Sequence, residues 1–98
     1  MKKQYAFLLM GAHYDPAVHQ CRFETERDIV LLRTVRNFEE AKITARELKA
    51  LGVGAIEVCG AFGREKAGEL AEATGNTIAI GYVMHDREQD GLFAKFFG

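Results

Sequence analysis

Hydrophobic positions along the chain fall into short runs with two different periods. Gln4 to Met10 reads as a strand, with Tyr5, Phe7 and Leu9 on one side and Ala6, Leu8 and Met10 on the other. Both faces are apolar, which marks an inner strand rather than an edge. Asp28 to Val35 is a second strand, setting Ile29, Leu31 and Val35 against Val30, Leu32 and Thr34. The period then changes. Across Phe38 to Leu51, Phe38, Ala41, Ala45 and Leu48 recur at helical spacing. Asn37 supplies the N-cap, Glu40 stands three residues later to complete a capping box, and Gly52 ends the helix.

The next unit, over residues 53–75, is the firmest feature of the chain. Gly54 to Cys59 is a strand carrying Ala55, Ile56 and Val58, Gly60-Ala61-Phe62-Gly63 turns the chain, and Arg64 to Thr74 forms a helix with Ala67, Leu70, Ala71 and Thr74 on one face. Gly75 and Asn76 lead into a last strand, Thr77 to Val83. From Asp28 onward the order is β-α-β-α-β, and two right-handed crossovers make these three strands parallel. The long connection from Gly11 to Thr25 leaves the direction of the first strand open. Part of Cys21 to Glu26 is expected as an extended arm within it.

The reading is therefore α/β: a single domain over residues 1–98, with a small three-to-four-stranded, mostly parallel sheet, two crossover helices and a short C-terminal helical or irregular tail. Surface scaling gives a folded area of roughly 5,600 Å² for a chain of this mass, with about two thirds of the unfolded surface buried. A hydrophobic fraction of 48% supports such a core, and ten glycines beside one proline suit tight connections. In the tail, Phe93, Phe96 and Phe97 fit a helical turn with an apolar face. They are expected to cover the open side of their own sheet or to dock on another subunit. A homo-oligomer, most simply a dimer, follows from a small sheet with only two helices to cover it.

Charge narrows the partners. A formal net charge of -1 argues against nucleic acid and against anionic membrane, and the basic residues Arg22, Arg27, Arg33 and Arg36 are interleaved with acidic ones. No apolar run approaches the roughly 20 residues of a membrane-spanning helix. Met1-Lys2-Lys3 has a signal-like charge, but the apolar stretch behind it is too brief for a secretory signal. Cys21 and Cys59 are read as free thiols in a reducing cytoplasm.

In a parallel sheet, ligands bind beyond the carboxyl ends of the strands. That rule collects Cys59, Gly60, Gly63, His85 and Asp86, with Gly11, His13 and Asp15 added if the first strand is parallel too. Free N–H groups around Gly60 and Gly63, with Arg64 beside them, suit a phosphate or carboxylate. The segment lacks both the three-glycine dinucleotide pattern and the Gly-Lys-Ser/Thr ending of a P-loop, so no nucleotide cofactor is expected. His13, Asp15, His19, Cys21 and His85 offer metal donors in type, but no metal spacing joins them and no metal is expected. The catalytic candidates are His13 or His85 as proton-transfer groups with Asp15 or Glu57 as partners, and Cys59 as a nucleophile.

The segments Lys3-Gln4-Tyr5-Ala6-Phe7-Leu8-Leu9-Met10-Gly11-Ala12-His13-Tyr14-Asp15-Pro16, Thr34-Val35-Arg36-Asn37-Phe38-Glu39-Glu40-Ala41 and Glu57-Val58-Cys59-Gly60-Ala61-Phe62-Gly63 resemble a family of uncharacterised bacterial proteins of about this length. The resemblance covers nearly the whole chain. It implies bacterial origin and single-domain organisation, and it carries no activity. Function stays unknown from sequence; a small-molecule or anion-binding protein is favoured over an isomerase or lyase and over a structural or regulatory module.

Overall fold

A computed structural model describes residues 2–98; Met1, the start of the charged N-terminal tripeptide, lies outside them. Strands β1 (Lys3–Met10), β2 (Cys21–Glu24) and β3 (Asp28–Val35) precede helix α1 (Phe38–Ala50), strand β4 (Ala55–Val58), helix α2 (Gly63–Ala73) and strand β5 (Ala79–Tyr82). A 3-10 turn (Arg87–Gln89) and helix α3 (Asp90–Phe97) complete the chain. The sheet runs β2-β3-β1-β4-β5, and β1 is parallel to both of its neighbours. The doubly apolar first strand is thus the central one, as its pattern requires.

The expected α/β sheet is mostly parallel, but one expectation is corrected: it has five strands rather than three to four, because β2 pairs antiparallel with β3 at the edge. The expected extended arm is this strand. Its turn contains neither glycine nor proline: the Thr25 hydroxyl accepts the N–H groups of Arg27 and Asp28, and the Thr25 N–H donates to the Asp28 carbonyl at 2.9 Å. A hydroxyl here does what glycine conformations do in other hairpins.

α1 begins as its sequence requires, with one variation. The Asn37 side chain accepts the Glu40 N–H at 2.9 Å. Glu40 does not return to the cap residue; its carboxylate accepts the N–H of Arg36 at 2.9 Å and the Arg36 guanidinium at 2.6 and 3.0 Å. The fork of the arginine matches the carboxylate better than a lone backbone N–H does. At the other end, Gly52 takes a φ of +101°, and a Cβ there would come within 2.9 Å of the Gln4 amide nitrogen. Only glycine satisfies both conditions without strain.

Both crossovers step the same way across the sheet, from β3 past β1 to β4 and from β4 to β5, so two right-handed connections place both helices on one face. α1 and α2 pack against each other there. The core lies under them: Ala6, Leu8, Val35, Ala45, Leu48, Ile56, Val58 and Leu70 are fully buried. The small Ala41 and Ala45 allow α1 to approach the sheet closely.

The opposite face follows from the strand register. Phe23, Val30, Tyr5, Ala55 and Ala79 form one cross-strand row, and Cys21, Leu32, Phe7, Glu57 and Gly81 form the next. No helix lies on these rows. The segment 11–20 folds over their carboxyl end, where buried Thr34 donates its hydroxyl to the His19 carbonyl at 2.8 Å. The tail does not cover the rest. α3 packs mainly on the 3-10 turn before it, and Phe96 and Phe97 are 81% and 77% exposed. The expectation that the tail shields its own sheet is corrected, because the chain leaves from the β5 edge and runs outward.

Candidate functional site

The parallel direction of β1 brings its carboxyl end beside that of β4. The connection from β1 folds toward the open face, whereas the connection from β4 leads to α2 on the helical face. Neighbouring parallel strands whose connections diverge in this way leave a crevice between them. Its floor is a direct link: the Met10 N–H donates to the Cys59 sulfur at 3.4 Å, and the Cys59 N–H donates to the Leu8 carbonyl at 3.1 Å. The thiol is half-buried and both cysteines are free.

The loop that leaves β1 at this end is aromatic. The His13 and Tyr14 rings lie 4.3 Å apart, and Tyr14 meets His19 edge-on at 6.1 Å. Gly11 is what admits them: a Cβ at this position would stand 2.9 Å from atoms of both rings. The loop behind is held locally, since Asp15 accepts the Ala17 N–H with its carboxylate and gives its own N–H to His19 Nδ1 at 2.8 Å. That bond makes Nδ1 an acceptor and puts the proton of neutral His19 on Nε2. Arg36 stands close enough to feel the Asp15 charge, and its guanidinium is held above the usual arginine value by the Glu40 hydrogen bonds first and the Glu40 charge second.

The chain that leaves β4 at the same end is the turn into α2. Among the described residues, the Gly60 and Ala61 N–H groups donate to no backbone carbonyl, while the Phe62 N–H returns to Cys59 at 3.1 Å. Phe62 is buried edge-on against Phe38, which anchors the turn to α1. Gly63 takes a φ of +70° as α2 begins, so a residue with a side chain would be strained there. No side chain caps this helix. Its first N–H groups therefore have no internal acceptor.

The remaining sequence candidates go elsewhere. His85 hydrogen-bonds Asp90 at 2.8 Å and stacks on Phe93 at 3.9 Å, so it belongs to the tail rather than to the strand ends. Glu57 lies on the open face and accepts the Tyr5 hydroxyl at 2.7 Å. This pair is directly linked across β1 and β4, offset by two residues in register, and no local pattern in the sequence points to it. Burial first, then the Glu57 hydrogen bond and charge, push the Tyr5 phenol up to about 12, so it stays a proton donor at ordinary pH. Among the described residues, no three His, Cys, Asp or Glu side chains gather as metal ligands would. Two shallow hollows open away from the crevice, one against Leu92, Phe93 and Phe96, the other between the C-terminal turns of α1 and α2.

Fold and site together define a mixed-sheet α/β protein with helices on one face and a strand-end crevice between β1 and β4. The chain belongs to the family of unknown function DUF6506, whose model matches residues 3–98. No curated protein and no solved structure matches it. Among the described residues, no helix is long and apolar enough to cross a membrane.

Proposed function

We propose that this protein binds a small anionic molecule in the crevice between residues 10–14 and 59–64. The observation that carries the reading is the pair of unpartnered N–H groups at Gly60 and Ala61, set at the N-terminus of an uncapped helix. Such groups favour a phosphate or carboxylate, and Arg64 in the first turn adds charge. The adjoining His13 and Tyr14 rings, tilted 36° to one another, offer an apolar and polarisable surface for the body of the molecule. Glu65 limits the ligand to modest charge. Proton-transfer catalysis is the weaker reading because its candidates are engaged apart: His85 with Asp90, Glu57 with Tyr5, and Asp15 within its own loop. Two free thiols suit a reducing compartment, and the cytoplasm fits this reading.

The test is an amide-resolved NMR titration with inorganic phosphate and with citrate. Saturable shifts are expected at Gly60, Ala61, Gly63, Arg64 and His13. Arg64→Ala is expected to weaken binding about tenfold, which corresponds to losing one charge-assisted contact of about 1.4 kcal/mol. Uniform, non-saturating shifts across the protein would defeat the proposal.

A further inference from the structure

We propose that two copies of this chain pair reciprocally, each laying its α3 across the open sheet face of the other. On this face the half-buried Phe7, Val30 and Leu32 adjoin the 53% exposed Phe23 as an apolar patch. The tail has the matching surface. Around α3, Leu92, Phe93, Phe96 and Phe97 fall on one side of the helix, and Lys95 flanks that stripe. Lys95 is the only basic residue of α3, and the exposed carboxylate of Glu57 borders the patch it would meet.

The shape of a single copy shows that these surfaces lack their cover. Its accessible area is 6836 Å², against the roughly 5,600 Å² expected for a compact chain of this mass. Its radius of gyration is 13.9 Å, against about 12.6 Å for a compact chain of this length. The excess lies along one axis, since the molecule measures 43 × 27 × 25 Å and the tail leaves from the β5 edge. The tail is also already ordered as a unit, with His85, Phe93 and Phe97 stacked in succession. An ordered aromatic helix loses little further conformational entropy on docking.

The areas fit a second copy. With about 200 Å² per phenylalanine side chain, the exposed parts of Phe93, Phe96 and Phe97 amount to roughly 400 Å². A sheet face burying a similar area makes about 800 Å² per contact, and a twofold axis doubles it to about 1,600 Å², the size of a stable interface. The patch lies toward the β2 side and the tail at the β5 edge, so each copy offers both halves of the contact. One copy alone would bury only half as much by folding back.

Sedimentation velocity on the intact protein tests the pairing, and the expected result is a dimer at tens of micromolar. Phe96→Glu combined with Phe97→Glu should give a monomer with an unchanged circular dichroism spectrum, because both side chains are exposed in the single copy. Phe23→Glu should weaken the dimer in the same way from the other surface. In a sample mixing isotope-labelled and unlabelled chains, nuclear Overhauser contacts are expected between the Phe96 and Phe97 rings of one chain and the Val30 and Leu32 methyls of the other. A wild-type monomer at every concentration, a dimer indifferent to the tail substitutions, or intermolecular contacts confined to tail against tail would each overturn the proposal.

Discussion

Two glycine-to-alanine substitutions separate the crevice from the frame that supports it. At Gly11 an added methyl meets the His13 and Tyr14 rings at 2.9 Å, well inside ordinary contact, but these atoms are the far ends of side chains on a surface loop. They can swing away with a rotamer adjustment costing of order 0.5–1.5 kcal/mol, and alanine offsets part of this by restricting the unfolded chain. At Gly52 the methyl meets the Gln4 amide at the same 2.9 Å, yet the backbone also holds a φ of +101°. Alanine there is strained, and the Gln4 bond to the Leu51 carbonyl at 3.1 Å is displaced, for a combined cost of roughly 2–3 kcal/mol. Urea unfolding of both variants should therefore place Gly11→Ala within about 1 kcal/mol of wild type and Gly52→Ala well below it. In melting temperature the second change amounts to more than about 10 °C for a domain of this size. Gly11→Ala should nevertheless alter the ring contacts of His13 and Tyr14, visible as changed proton shifts, and weaken anion binding. Equal losses of stability at the two positions would refute the reasoning, because the segment after β1 would then be packed as tightly as the helix frame.

Other expectations follow from the polar contacts. Asn37→Ala should cost about 1 kcal/mol in chemical unfolding, because the Glu40 N–H loses its acceptor at the start of α1. The Arg36 side-chain and backbone hydrogen bonds hold the Glu40 carboxyl below its ordinary value, so its stabilisation is complete above the unfolded pKa and lost as pH falls through the folded one. Glu40→Gln should flatten that part of the acid unfolding profile. Tyr5 behaves oppositely: its folded pKa of about 12 exceeds the unfolded value near 10, so stability is complete below about 10 and declines as pH rises toward 12. Tyr5→Phe should remove the phenol that ionises at about 12 from the alkaline absorbance titration, and Glu57→Gln should bring it to lower pH. Leu70→Ala, fully buried beneath α2, should cost 2–5 kcal/mol in urea unfolding.

The elements readable in the sequence are those whose period and punctuation agree. β3, α1, β4 and α2 follow one another with caps and glycines at their ends, and their order implied the parallel sheet. β2 was legible only as an extended arm. All four of its residues are exposed, so burial leaves no alternation, and its turn relies on the Thr25 hydroxyl rather than on glycine. The direction of β1 could not be read because that hairpin lies inside the connection to β3. The site divides similarly. Cys59 and Gly60 reached the expected strand end because both adjoin β4 directly. His85 stands three residues beyond β5, and Asp90 and Phe93 draw it into the tail. The Tyr5–Glu57 bond depends on register between strands far apart in sequence, which no local periodicity contains.

The position of β1 also bears on how the protein folds as it is synthesised. β1 is the central strand yet precedes both of its neighbours along the chain: Tyr5 waits for Val30 on one side and for Ala55 on the other. During synthesis this apolar segment therefore keeps two open edges until β3 has emerged and one until β4 follows. Pairing with β3 closes the shorter loop and should come first. Arrival of β4 then completes the ladder and, by bringing Cys59 beside Met10, forms the crevice in the same event. The candidate site is thus a late product of folding, absent from every shorter nascent chain.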